Sequence, residues 1–167
     1  YDYWKETFRP SILCDSGADM IVYGMGELPL IELSRHLMEA VDKGCEDLYY
    51  DESGAGYVTV PAFKRELTER HQVPQTVYIA SNDQIPGGVS DKDIVLHSYE
   101  QCLVNKRQQA ENFKHIEEES NKWEACRILQ QTGEHYVVVN PPYPPMKDGE
   151  LDRSFDLPYT RYPHPKY

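Results

Sequence analysis

The sequence predicts an α/β fold built on a small sheet, with α+β as the alternative, and three stretches carry that expectation. Ala18 to Val41, ADMIVYGMGELPLIELSRHLMEAV, reads as a strand, a glycine turn and an amphipathic helix. Thr76 to Ala80, TVYIA, and Tyr136 to Val139, YVVV, are apolar β-branched runs bounded by turn residues. A single strand-turn-helix unit cannot bury its own strand, so further strands must flank it.

Within the first stretch, Met20 to Tyr23 is apolar enough for a strand covered on both faces. Gly24 and Gly26 free the backbone to turn. Glu27 suits the positive end of a helix, and Pro29 is tolerated in a first turn because its missing N–H would be unpaired there. Leu30, Leu33, Leu37 and Val41 then recur at helical spacing, widened by Ile31 and Met38, while Glu32, Arg35, His36, Glu39 and Asp42 point the other way. Gly44 is the expected stop.

Ahead of this unit, the aromatics at Tyr1, Tyr3, Trp4 and Phe8 are expected to plug a core, and Ser11 to Cys14 is a short apolar run near a sheet edge. After it, Glu46 to Gly56 is an acidic loop, Tyr57 to Val60 a strand stopped by Pro61, and Ala62 to His71 a short surface helix or loop. Ser81 to Asp93 must be a loop. Its Gly87-Gly88 lacks the G-x-x-x-x-G-K-[ST] pattern of a phosphate cradle, so a plain turn is expected. Ile94 to Leu96 reads as a strand, with Ser98 able to cap the next helix.

Residues 99–131 read as two helices broken near Ser120-Asn121, with Trp123, Cys126 and Leu129 on the second and Gly133 ending it. The tail from Asn140 carries four prolines within Pro141 to Pro145, which force an extended path. Asp148 to Phe155 can make a short helix capped by Asp148. The tail's many aromatics argue that it packs on other protein surface.

Composition narrows the function. With 167 residues the chain can bury roughly 70% of its unfolded surface in one core. Seventeen basic against 28 acidic residues leave a charge of −11, which argues against general nucleic-acid binding or docking on an anionic membrane. No apolar run approaches a membrane span, and the expected compartment is the cytoplasm. Cys14, Cys45, Cys102 and Cys126 form no C-x-x-C pair, so reduced thiols are expected rather than a zinc ribbon or redox dithiol. His115 with Glu118 and Glu119 shares a helix face at metal-ligand spacing, but no second histidine lies near, and a solvated acidic face is the plainer reading. No nucleophile elbow or phosphate loop marks an independent hydrolase or transferase.

The best candidate for contact with a ligand is the turn Gly24, Gly26 and Glu27, because open α/β sheets bind ligands beyond the carboxyl ends of their strands. The plainer alternative is that these glycines simply make the turn. The chain opens on YDYW without an initiator Met and closes on PHPKY, which reads as a piece of a longer protein.

The opening YDYW, the stretch SILCDSGADMIVYGMGELPLIEL, the segment YVVVNPPYPP and the closing DLPYTRYPHPKY resemble the YgiQ-type radical SAM proteins (UPF0313), in the same order along essentially the whole chain. The N-P-P near 140 and P-Y-T-R-x-P-H-P near 158 are the most particular of these. The resemblance implies that residues 1–45 end a cobalamin-binding-like α/β domain, 46–139 form an α/β insert or accessory subdomain, and 140–167 connect to a radical SAM core. It also implies a 4Fe-4S cluster and S-adenosylmethionine in the full-length enzyme. The C-x-x-x-C-x-x-C ligands of that cluster are absent from this chain, so it carries no catalytic or metal residue by this reading. Arg161 and His164, which lead toward the core, are second candidates for cofactor contact. The expected partners are the core and the N-terminal region of the same protein, and the isolated piece is expected to pair with a second copy to cover its docking surface. The alternative is a free-standing interaction module with aromatic, proline-rich docking ends.

Overall fold

Alternation along Thr76–Ala80 places Thr76, Tyr78 and Ala80 on one face, and all three are buried in the computed structural model, which describes residues 4–42, 70–158 and 162. This strand, β2, shares a five-stranded sheet with β1 (Met20–Val22), β3 (Ile94–Leu96), β4 (Ile128–Thr132) and β5 (His135–Val139). The strand order is β1-β2-β5-β4-β3. The β1–β2, β2–β5 and β5–β4 pairs are antiparallel, and β3 runs parallel to β4. A parallel pair needs a crossover. Here it is supplied by α3 (Tyr99–Val104) and α4 (Lys106–Ser120). The described chain also holds α1 (Ile12–Ser16), α2 (Glu27–Asp42) and α5 (Asp148–Phe155), so the fold is mixed α/β.

Tyr78, Ala80, Ile85, Leu129 and Val138 form the core, with Met20 and Tyr136 packed against it. Leu129 and Val138 face one another across the β4–β5 ladder, and both are fully buried. Cross-strand pairs of this kind each contribute roughly 0.2–1 kcal/mol relative to a pair of alanines.

A buried amide fastens the crossover to the sheet. Asn112 on α4 accepts from His97 N at 2.9 Å through Oδ1 and donates to His97 O at 2.9 Å through Nδ2. The side chain thereby pairs with the backbone just beyond β3 as another strand would. The Ser98 cap expected from sequence is present, closed by Gln101 in a reciprocal capping box.

Several expectations are corrected. Strand β1 is half-buried and pairs with β2 alone among the described residues; it is an edge strand rather than one covered on both faces. Ile12 opens a helix and is largely exposed, so no sheet edge lies there. Trp4 does not plug the core; it is exposed.

The helical region is interrupted earlier than expected, at Asn105. Its backbone is extended, and its side chain accepts from Arg107 N to start α4. Helix α4 does end at Ser120-Asn121, but the next element is strand β4, and Gly133 turns the β4–β5 hairpin with φ +60°. The helical spacing of Trp123, Cys126 and Leu129 was coincidental. Glu119, 3% exposed, accepts from Cys126 N at 2.8 Å and pairs with Lys122, which folds the chain back toward the sheet. Helix α5 has the bounds expected from sequence. Asp148 is its first residue rather than its cap, because Lys147 N donates to Glu150 Oε2 at 2.9 Å.

Helix α2 is rotated from its expected phase. Pro29 is buried and Glu32, Leu33 and His36 are partly covered, whereas Leu30, Ile31, Leu37 and Met38 are exposed. The covered side meets the segment after β5, from which Tyr143 reaches back and donates its hydroxyl to Glu32. Burial, and then that bond, push the Tyr143 pKa up. Gly44, the acidic loop, the Tyr57–Val60 strand and residues 62–69 of the expected surface helix lie outside the described residues. Among the described residues no helix is long and apolar enough to cross a membrane.

Strand and helix readings of 123–129 differ in what they require of two side chains. Leu129→Ala should cost about 2–5 kcal/mol because it empties a filled core position. Trp123→Ala, at an exposed position, should stay within about 0.5 kcal/mol. Chemical denaturation of both variants checks this.

Candidate functional site

The turn after β1 is held by a side chain that the sequence does not advertise. Gln75 sits at φ +63°, a backbone conformation rare outside glycine, and is only 7% exposed. Its Nε2 donates to Tyr23 O at 2.5 Å and to Met25 O at 2.6 Å, so one amide satisfies two carbonyls of the turn. Gly24 is required twice over. It has φ +66°, and a Cβ there would lie 3.0 Å from Gln75 Nε2. Gly26 is under no such constraint, since a Cβ would meet Val22 and Leu30 at ordinary contact distance.

Gln75 is in turn fixed from the other side. Its N–H donates to Pro141 O at 2.8 Å, and its carbonyl accepts from Tyr23 N at 3.1 Å. Asn140, 5% exposed, then gathers the segment before β2: Nδ2 donates to His71 O at 2.8 Å, Val73 O at 2.9 Å and Thr76 Oγ1 at 3.0 Å. Tyr23 closes the circuit by donating its hydroxyl to Asn140 O at 2.6 Å. Burial pushes the Tyr23 pKa up to about 12, so the hydroxyl stays a donor through the physiological range. The knot joins the β1 turn, the lead into β2 and the N-P-P segment after β5.

Beside it lies a shallow cleft of about 360 Å³ lined by His71, Gln72, Pro86, Gly87, Arg127 and Asn140. The His71 ring stacks on Tyr78 with centroids 3.9 Å apart and planes 6° from parallel. Burial lowers the His71 pKa, which favours the neutral imidazole, and pushes the Tyr78 phenol up to about 12. Arg127 clamps the opposite wall. Its Nε and Nη2 donate to the two Asp93 carboxylate oxygens at 3.0 and 2.8 Å, while Nη1 reaches Pro86 O at 2.9 Å and Nη2 reaches Gly88 O at 2.6 Å. Gly87-Gly88 is thus a turn whose carbonyls face a guanidinium. Gly88 N is taken up by Ile85 O at 2.8 Å.

Of the residues singled out from sequence, Gly24, Gly26 and Glu27 do come together at the start of α2. Their strand runs antiparallel to its neighbour, so the ligand rule for parallel sheets lends that turn no support. Arg161 and His164 lie outside the described residues. His115 contacts Glu118 at 3.8 Å on the outside of α4, while Glu119 turns inward to Cys126 N. Sequence reading missed the structural parts of Gln75, Asn140, Arg127 and Asp93. The available signals were a polar residue directly after Pro74 at the mouth of a strand, and an asparagine placed between YVVV and two prolines.

Asn140→Ala removes this donor from His71 O and leaves Val73 O and the Thr76 hydroxyl only their bond to each other, and should lower stability by about 1–3 kcal/mol. Asn140→Asp should cost more, because a carboxylate would face those carbonyls; urea titration of the two variants gives the order. For Asp93, burial works to raise the carboxyl pKa, but the bonds from Arg127 and Ser90 outweigh it and hold the group below 3.8. A carboxyl whose folded pKa lies below its unfolded value stabilises the fold above about pH 4 and loses that contribution as pH falls through the folded value. Acid titration of stability should therefore show a loss below about pH 4 that is weakened in Asp93→Asn, a variant already less stable at pH 7 by about 3–5 kcal/mol.

The chain matches the Radical SAM N-terminal family over residues 1–167. It is similar to a UPF0313 protein of Bacteroides thetaiotaomicron, 48% identical over 168 residues, which cover all of this chain and 24% of the relative. A UPF0313 protein of Porphyromonas gingivalis is 41% identical over 167 residues, covering 22% of its length. One from Clostridium perfringens is 35% identical over 168 residues, covering 21%. No solved structure gives a significant match. The chain spans under a quarter of the length of these curated relatives. By its match along the whole sequence, it belongs to the Radical SAM N-terminal family, as the N-terminal part of a UPF0313 protein.

Proposed function

We propose that this chain is the non-catalytic N-terminal portion of a cytoplasmic radical SAM enzyme and scaffolds its catalytic core. The observation that carries this reading is the family match along residues 1–167 by a chain whose own thiols do not fit the cluster. A 4Fe-4S site with one open iron takes three thiolates at C-x-x-x-C-x-x-C spacing. Here Cys14 lies on α1, Cys102 on α3 and Cys126 ahead of β4. Cys14 is exposed, Cys102 buried and Cys126 half-buried, each on a different part of the chain. Among the described residues no group of three or more His, Cys, Asp or Glu side chains could hold a metal. On this reading the chemical steps belong to the rest of the full-length protein.

A scaffold needs rigid positioning, which the knot around Gln75 and Asn140 supports by tying the β1 turn, the lead into β2 and the segment after β5 to one another. Reconstitution of the full-length protein with iron and sulfide should give one 4Fe-4S cluster and reductive cleavage of S-adenosylmethionine. The Cys14→Ser, Cys102→Ser and Cys126→Ser variants should keep both. Loss of the cluster from any one of them would refute the assignment of this region as scaffold alone.

A further inference from the structure

Helix α2 shows its apolar side to solvent. Ile31 is 57% exposed, and with Met25, Leu151, Phe155 and Leu157 it lines a groove of about 350 Å³ between α2 and α5. Glu27 lies in the same groove. Its Oε2 is buried and has no hydrogen-bond partner. A buried carboxylate oxygen without a donor is costly, and a contiguous apolar groove open to water is uncommon on a finished surface. Both features ask for an occupant that brings apolar side chains and at least one N–H donor.

Resting on the reading of this chain as a scaffold, we propose that the α2–α5 groove is the seat of the radical SAM core of the same polypeptide, which places an apolar segment over Ile31 and Phe155 and a donor on Glu27. Two observations select this occupant over a second copy or a foreign protein. More than three quarters of the length of the relatives lies outside the region that this chain matches, so a large covalently linked body must pack somewhere. The wall of the groove also includes Leu157, just past α5, so the polypeptide beyond that helix starts out against the groove. A tethered segment acts at an effective concentration in the millimolar range, so a small groove suffices, whereas a stable dimer needs about 800 Å² per partner.

The test places reporter cysteines in the full-length protein by Ile31→Cys and Phe155→Cys, with Val104→Cys, at an 86% exposed position on α3, as the reference. Alkylation by iodoacetamide is followed peptide by peptide. Positions 31 and 155 should react at least about tenfold more slowly than position 104, independently of protein concentration, and Glu27→Gln should speed the reaction at 31. Equal rates at all three positions would overturn the proposal. So would protection that fades on dilution, which would assign the groove to a second copy. Cluster content and S-adenosylmethionine cleavage are measured on the same samples. A protein that holds its cluster with positions 31 and 155 open overturns the docking alone. One with a covered groove and no cluster supports docking of the remaining chain and overturns its identity as a radical SAM core.

Discussion

The fold depends on two buried amides that satisfy backbone carbonyls no secondary structure can reach. Asn140 supplies donors to the segment leading into β2, and Gln75 supplies them to the turn that leaves β1. Buried carbonyls left unpaired would each carry a desolvation penalty, so the two side chains let irregular backbone lie against the sheet. The prolines at 141 and 142 suit this arrangement: with no N–H to place, they allow the chain to leave β5 while Pro141 O still accepts from Gln75. Without the knot, β1 would be a three-residue edge strand with little to hold it.

The same logic recurs at the other end of the sheet. Asn112 pairs with both backbone groups of His97, and Arg127 fills the carbonyls of Pro86 and Gly88 while paired with Asp93. Each device uses a polar side chain at a depth where an apolar one would pack as well. What an apolar residue could not do is fix one geometry for a loop.

Strands β2, β3 and β5 were legible in the sequence because their apolar runs are short and bounded by turn residues, and a pattern local to the chain suffices to see them. The bounds of α5 and the Ser98 cap were legible for the same reason. Strand β4 was not, since ILQQT has a weak apolar signal of its own and becomes a strand through pairing with β5. The phase of α2 was also hidden: its apolar stripe is plain in sequence, but the side that is covered meets partners far along the chain, Tyr143 among them. At the candidate site, Gly24 could be recognised as a turn residue, while the glutamine that makes it necessary lies in another segment.

The sheet's order has a bearing on how the protein is made. Strands β4 and β5 are joined by a tight hairpin and can meet as soon as both have left the ribosome, whereas Tyr23 must wait 117 residues for Asn140, and Glu32 must wait 111 for Tyr143. During that interval β1 can pair with β2 and take the Gln75 bonds, while α2 still lacks its contact with Tyr143. The amino-terminal end is thus stitched in twice, first by β2 and only later by the segment that follows β5.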